Sequence, residues 1–190
     1  MSLQGPGATH HGAGSPSPWV LRFALLVAMG ARVLDLACGH GRHSVFFAGR
    51  GCRVVAVDRD KDALAGLAGV DGITTLVADL EGGGWCFGEE RFDVVVVTNY
   101  LHRELLPRLV RAVDPEGLLL YETFAAGNEV YGKPSNPHFL LREGELLSVV
   151  GDALTIVAFE QGAIAGEPPA VLQRIAAVGR ARQWPPPLPA

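Results

Sequence analysis

Apolar runs of strand length alternate with helix-like segments along most of the chain. The predicted strands begin with the run at Val33 and continue at residues 52–57, 73–78, 92–98, 118–124, 153–160 and 170–178. The predicted helices lie at residues 18–29, 43–50, 60–67, 101–113 and 141–150. Because strands that are connected through helices pair in parallel, the pattern predicts an α/β fold that contains a βαβαβ unit.

The first predicted strand runs into a glycine-rich turn, which reads Asp-Leu-Ala-Cys-Gly-His-Gly-Arg from Asp35 onward. Gly39 and Gly41 lack a Cβ, so a ligand can lie against the backbone, and the N–H groups at the following helix start favour an anionic group. A dinucleotide fingerprint would need Gly or Ala where Ser44 stands, and Asp35 would repel a pyrophosphate. The turn therefore favours a ligand that also carries an amine.

These residues resemble the first motif of the class I S-adenosylmethionine-dependent methyltransferases, acid-x-Gly-x-Gly-x-Gly, with Ala37 in place of the first glycine. The resemblance covers residues 18–178, and the chain looks most like the short bacterial enzymes of the tellurite-resistance type. It implies a Rossmann-like, doubly wound, seven-stranded sheet that is mostly parallel with a C-terminal antiparallel strand. It also implies S-adenosyl-L-methionine as the cofactor.

Acidic residues follow the next two predicted strands. Asp58 comes about twenty residues after the glycine turn, where a carboxylate can accept hydrogen bonds from ribose hydroxyls. A helix N-cap is the alternative for Asp58 or Asp60. The resemblance implies that Asp79 accepts from the adenine amino group and that Leu80 packs on the ring, whereas a surface turn is the alternative for Asp79. The predicted cofactor-binding residues are Asp35, Ala37, Gly39, Gly41, Asp58, Arg59, Asp79, Leu80 and Asn99.

Methyl transfer mainly requires that the acceptor is aligned with the S–methyl bond and that water is excluded, so no acid or base is compulsory. Tyr100 and His102 follow the fourth predicted strand and are the candidate catalytic residues, although a histidine on a helix surface is the commoner explanation for His102. The Asn-Pro-Pro-Tyr pattern of nucleobase and glutamine methylation is absent, since residues 98–101 contain no proline.

Residues 125–138 form a long polar loop and are a candidate substrate lid.

Composition narrows the class of acceptor. The chain has 190 residues, a net charge of -4 and no block of consecutive basic residues, so a small-molecule acceptor is favoured over a stable nucleic acid partner. Three cysteines without a Cys-x-x-Cys pair, and no signal peptide or membrane span, predict a cytoplasmic protein, either monomer or homodimer. No metal site is predicted, because the adjacent His10 and His11 lie in a Gly- and Pro-rich arm.

The predicted organisation is a flexible arm at residues 1–17, one S-adenosylmethionine-binding domain at residues 18–180 and a loose Pro-rich tail at residues 181–190. Three other functions remain open at this point. The acceptor could be RNA or protein, the chain could be a nicotinamide-dependent oxidoreductase, or it could bind the methyl donor without turnover.

Overall fold

The computed structural model describes residues 14–166 and 168–188 and places a seven-stranded sheet at the centre of the chain. The strands are β1 (Arg32–Leu36), β2 (Arg53–Asp58), β3 (Ile73–Val77), β4 (Phe92–Thr98), β5 (Val113–Phe124), β6 (Leu154–Ile164) and β7 (Ala170–Gly179). Their order is β3-β2-β1-β4-β5-β7-β6. Strands β1 to β5 pair in parallel, and β7 pairs antiparallel with both β5 and β6. The predicted mostly parallel sheet with an antiparallel last strand is confirmed.

In the described part of the chain, five short helices cover the two faces of the sheet: α1 (Pro18–Phe23), α2 (Arg42–Gly49), α3 (Lys61–Ala65), α4 (Leu106–Arg111) and α5 (Glu145–Val150). Trp19, Phe23 and Phe47 of α1 and α2 pack on one face, whereas Leu109 and Leu146 of α4 and α5 pack on the other. Burial on both faces accounts for the unbroken valine run of β4, which carries no alternating polar positions in its centre.

Several helices are shorter than their apolar patterns predict. The first gives way after Phe23 to a 3-10 turn at Ala24–Leu26. The segment at 101–113 starts with a 3-10 turn at Arg103–Leu105, and α4 begins only where Pro107 can occupy its first turn, which needs no N–H donor. The helix predicted from residue 141 begins at Glu145, after Gly144 in the left-handed region.

The two ends of the described chain pack against the domain. Ser17, which the sequence places in the flexible arm, is 3% exposed and caps α1 by accepting from the Trp19 N–H. Arg182 donates to the Leu26 carbonyl at 2.6 Å and Pro186 is buried, so residues 181–188 are not the loose tail that composition predicts. Residues 1–13, including His10 and His11, lie outside the described residues.

Within residues 14–166 and 168–188, no helix has the length and apolar character that a membrane span requires.

Candidate functional site

A recess of about 230 Å³ opens at the carboxyl edge of the sheet, where β1, β2, β3 and β4 end. It is lined by Ala37, Asp58, Arg59, Ala78, Asp79, Leu80, Glu81, Asn99 and Tyr100. The structure thus brings together residues that the sequence selects one strand end at a time. A larger recess of about 740 Å³ lies between Met29 and Pro186 at the opposite edge, and none of the predicted site residues lines it. The smaller recess is therefore the candidate site.

The glycine turn contributes Ala37 to the wall of the recess, and the amides of its two glycines are already engaged. The Gly39 N–H donates to Asp58 Oδ2 at 2.7 Å, and the Gly41 N–H donates to the Cys38 carbonyl at 2.9 Å. The N–H groups of the two glycines are therefore not free for an anion. A pyrophosphate laid on the turn would also meet the Asp58 carboxylate, so the arrangement disfavours a dinucleotide.

The two glycines serve different purposes. Gly39 has φ +54° with open space where a Cβ would be, whereas a Cβ on Gly41, at φ +74°, would collide with the buried Leu67 side chain. Gly41 therefore permits close packing of Leu67 against the turn, whereas Gly39 has open space beside its backbone.

We expect Gly41→Ala to lower the free energy of unfolding by about 2–3 kcal/mol, because left-handed strain adds to overpacking. Gly39→Ala should cost about 1 kcal/mol from strain alone but should weaken binding of S-adenosylhomocysteine, since the added methyl group points into open space beside the recess. Urea unfolding and calorimetric titration of both variants would check this contrast. Equal losses of stability in the two variants would contradict it.

Asp58 and Asp60 divide the two roles that the sequence leaves open between them. Asp60 caps α3, where Oδ1 accepts from the N–H groups of Asp62 and Ala63 at 2.9 and 3.0 Å. Asp58 lies in the recess wall and is fixed there by Gly39 on Oδ2 and by the Asp60 N–H on Oδ1 at 2.9 Å. A carboxylate has about four lone-pair sites, so Asp58 keeps the capacity to accept from a diol.

Asp79 organises a turn at the end of β3. Its Oδ1 accepts from the N–H groups of Glu81 and Gly82 at 3.0 and 3.1 Å, and these bonds lower the pKa of the carboxyl group. Asp79 therefore stabilises a turn, which was the alternative to adenine binding, and it also lines the recess. Beside it, Leu80 is buried in the core and presents apolar surface to the same space.

Tyr100 contributes a polar atom without a partner. Its hydroxyl oxygen is buried and makes no hydrogen bond within the described part of the chain. Burial, and then the negative charge of Glu81, raise the pKa of Tyr100 to about 12, so the phenol stays neutral and can donate a hydrogen bond. It is not suited to act as a base near neutral pH. Tyr100 lines the recess, and its buried hydroxyl is a donor that still lacks a partner.

Asp35 and Gly41 support the glycine turn and, like Gly39, do not line the recess. Asp35 is 1% exposed, between the sheet and α2, and Ser44 Oγ donates to its Oδ2 at 2.6 Å. Burial raises the pKa of Asp35 to about 6. The sequence groups both residues with the cofactor contacts because the linear motif does not distinguish the surface of a turn from its support.

His102 faces a different space. It lines a neighbouring recess of about 290 Å³ together with Trp85 and Glu104, and this recess shares only Leu80 and Glu81 with the candidate site. The two predicted catalytic residues, Tyr100 and His102, therefore do not line one cavity.

Residues 125–138, predicted as a substrate lid, are hydrogen-bonded to the rest of the domain and do not line the recess. Arg103 Nη1 donates to the His138 carbonyl at 2.9 Å, and Asn128, 2% exposed, bonds both the Pro134 carbonyl and the Val171 N–H at 3.0 Å. These bonds hold residues 125–138 against the ends of β5 and β7.

Sequence reasoning missed Glu81, which lines both recesses. The only available signal was its position two residues after Asp79, directly past a strand end.

Proteins of known structure share this fold. Residues 33–117 match a family described as a methyltransferase domain. Among solved structures, TehB from Haemophilus influenzae superposes with a TM-score of 0.68 at 21% identity, over 84% of this chain and 60% of that one. A SAM-dependent methyltransferase from Methanosarcina mazei gives 0.65 at 16% identity, over 86% and 98% of the two chains.

A third similar structure contains ligands. The 1,6-didemethyltoxoflavin-N1-methyltransferase of Burkholderia thailandensis, with bound 1,6-didemethyltoxoflavin and S-adenosylhomocysteine, gives a TM-score of 0.61 at 20% identity, over 85% of this chain and 76% of that one. Identities this low show a shared fold. No curated protein sequence matches this chain.

Proposed function

Since the chain carries a class I S-adenosylmethionine-dependent methyltransferase domain, we propose that it transfers the methyl group of this cofactor to a small-molecule acceptor by in-line displacement. The charge around the recess is the observation that carries the proposal. Asp58, Asp79 and Glu81 line it, whereas its one basic side chain, Arg59, lies 3.9 Å from Glu81. This acidic surface repels a phosphate backbone and attracts a cationic ligand.

The residues present fit the cofactor. Asp58 would accept from the ribose hydroxyls, Leu80 would pack against the adenine, and the Tyr100 hydroxyl would donate its unused hydrogen bond. Ala37 and Gly39 would place the turn backbone alongside. When bound, the cofactor supplies a methyl group that its sulfonium already makes electrophilic.

The protein's own part in the reaction is then to position the methyl donor and to exclude water. Backbone and core fix the recess walls: Leu80 is buried, Asp58 is held by two N–H groups, and the Tyr100 carbonyl accepts from the Tyr121 hydroxyl at 2.9 Å. Such preorganisation holds the donor for in-line attack without a protein acid or base. Tyr100, being neutral, orients by hydrogen bonding.

The alternatives make different demands on this site. A nicotinamide cofactor needs phosphate-binding amides at the turn, and those of Gly39 and Gly41 are occupied. An RNA acceptor needs a basic surface beside the recess, and the recess is acidic. The assay below distinguishes a protein acceptor from a small-molecule acceptor.

We expect purified protein, incubated with methyl-labelled S-adenosylmethionine, to label a low-molecular-weight metabolite extract and not bulk RNA or a protein extract. The three fractions are assayed separately, with Asp58→Ala as the matched control that should lose the label. Label in RNA or in protein, abolished by the same variant, would overturn the small-molecule proposal and leave the cofactor site intact.

A further inference from the structure

A buried polar network lies between the sheet and the first two helices, outside the recess described above. At its centre is His43, which is 1% exposed. Its Nε2 accepts from the Ser17 N–H at 3.1 Å, and its Nδ1 lies 3.5 Å from Thr98 Oγ1. Ser17 Oγ also donates to Glu122 Oε1 at 2.7 Å, and Glu122 Oε2 pairs with Arg174 Nε at 2.7 Å. The network joins the segment before α1 to α2, β4, β5 and β7.

The direction of the bonds through His43 follows from its partners. A backbone N–H can only donate, so the Nε2 that faces Ser17 carries no proton. Burial, and then the charge of Arg42, lower the pKa of His43 to about 3, which keeps the ring neutral. The single ring proton is therefore on Nδ1 and is directed to the Thr98 hydroxyl oxygen.

Thr98 is the last residue of β4 and precedes a strained turn. Asn99 has φ +54°, a conformation that costs a non-glycine residue energy unless its surroundings fix it. The Thr98 side chain is bound by His43, and the Asn99 N–H donates to the Glu122 backbone carbonyl at 2.9 Å. Two members of the network thus hold the residues that form this turn.

Tyr100 is the residue that this turn delivers to the recess. Its hydroxyl is the buried donor without a partner, so its placement depends on the backbone that precedes it. An error in the torsion of Asn99 would move the ring, since the two residues are adjacent in the chain. The strength of any hydrogen bond to a ligand depends steeply on that placement.

We propose that His43 is a positioning residue for cofactor binding: through Thr98 it maintains the Asn99 turn that presents Tyr100, and through Ser17 it couples the N-terminal segment to the same support. The inference rests on the proposed assignment of the recess to the cofactor. His43 acts from below and touches neither cofactor nor acceptor.

Two amide substitutions separate the two bonds of the imidazole. His43→Asn places an amide near Nδ1, which retains the bond to Thr98 and loses the one to Ser17, whereas His43→Gln places it near Nε2 and does the reverse. Thr98→Val removes the same Thr98 bond with an isosteric side chain and leaves His43 in place. We expect His43→Gln and Thr98→Val each to weaken S-adenosylhomocysteine binding about two- to tenfold in calorimetry, with His43→Asn close to wild type. The double variant His43→Gln/Thr98→Val should be no weaker than either single one.

Fluorine NMR of 3-fluorotyrosine protein gives a readout that does not depend on ligand. The chain has three tyrosines, Tyr100, Tyr121 and Tyr131, so three resonances are assigned by tyrosine-to-phenylalanine variants. In the free protein, His43→Gln and Thr98→Val should shift or broaden the Tyr100 resonance, whereas that of the exposed Tyr131 should not move. An unchanged Tyr100 resonance and unchanged affinity, with only a lower melting temperature, would show a purely structural role and overturn the inference.

Tyr100→Phe distinguishes this inference from the site assignment. If Tyr100→Phe weakens S-adenosylhomocysteine binding but His43→Gln and Thr98→Val do not, the recess holds the cofactor and only the role of His43 is wrong. If neither Tyr100→Phe nor Asp58→Ala affects binding, the recess itself is misassigned.

Discussion

Replacing Asp58 with alanine is expected to weaken binding of S-adenosylhomocysteine by about 1–3 kcal/mol, the range for a charge-assisted hydrogen bond. The loss has two physical sources. The acceptor for the ribose hydroxyls disappears, and the Gly39 N–H, which Asp58 Oδ2 holds at 2.7 Å, loses its partner, so the glycine turn is less well fixed. Isothermal titration calorimetry on the folded variant measures the effect.

Asp60→Ala is the matched control for this variant. It removes a carboxylate two residues away that caps α3 and does not line the recess, so it should cost about 1 kcal/mol of stability and leave affinity unchanged. If Asp60→Ala weakens binding as much as Asp58→Ala, the common cause is disruption of the loop after β2, and Asp58 has no direct role. If Asp58→Ala binds normally, the ribose assignment is wrong.

The second large effect concerns stability. Asp35→Asn is expected to raise the free energy of unfolding at neutral pH by about 1–3 kcal/mol, because burial raises the pKa of Asp35 from 3.8 to about 6 in the folded protein. Above pH 6 the folded chain therefore holds a buried carboxylate that the unfolded chain hydrates. An asparagine carbonyl can still accept from Ser44 Oγ, now 2.6 Å from Asp35, without that charge.

The pH dependence identifies the cause. The advantage of Asp35→Asn should shrink as pH falls through 6 and disappear below 3.8, where wild-type Asp35 is protonated in both the folded and the unfolded state. His43 has the opposite effect: its pKa falls from 6.5 to about 3 on folding, so acid takes stability away over that interval. In Asp35→Asn the opposing contribution of Asp35 is absent and that of His43 remains. The free energy of unfolding of this variant should therefore fall more steeply on acidification than that of the wild type.

Urea unfolding curves recorded above pH 6 and near pH 4 provide the measurement, with the exposed Asp71→Asn as a control for net charge. A variant that is less stable than wild type at every pH would mean that the charge of Asp35 is needed beneath the glycine turn. That outcome would contradict the desolvation argument.

The central strands of the sheet were predictable because a strand that is buried on both faces consists of consecutive apolar residues. The bounds of β4 agree residue for residue with the valine run, and the acids at positions 58 and 79 follow from those strand ends. Helix ends were less predictable, since Pro107 and Gly144 act through backbone geometry that an apolar pattern does not carry.

The supporting parts of the site could not be read from the sequence, for two physical reasons. Ser17 and Glu122 are 105 residues apart in the chain, so no local pattern links them. The two glycines of the turn look alike in sequence, and only the position of Leu67 shows that Gly41 serves packing while Gly39 faces open space. Likewise, Tyr100 is an ordinary tyrosine until the burial of its hydroxyl is known.

The contacts of α1 bear on the order in which the chain can fold during synthesis. Trp19 donates from its indole to the Ile175 carbonyl at 3.2 Å, and Ser17 reaches Arg174 through Glu122. Helix α1 is thus completed by β7, and Trp19 and Ile175 are 156 residues apart in the chain. The apolar residues of α1 therefore lack this partner until β7 has been synthesised, and exposed apolar surface of this kind is prone to aggregate. A nascent chain that stalls before residue 170 would have its glycine turn but not the network that supports the end of β4.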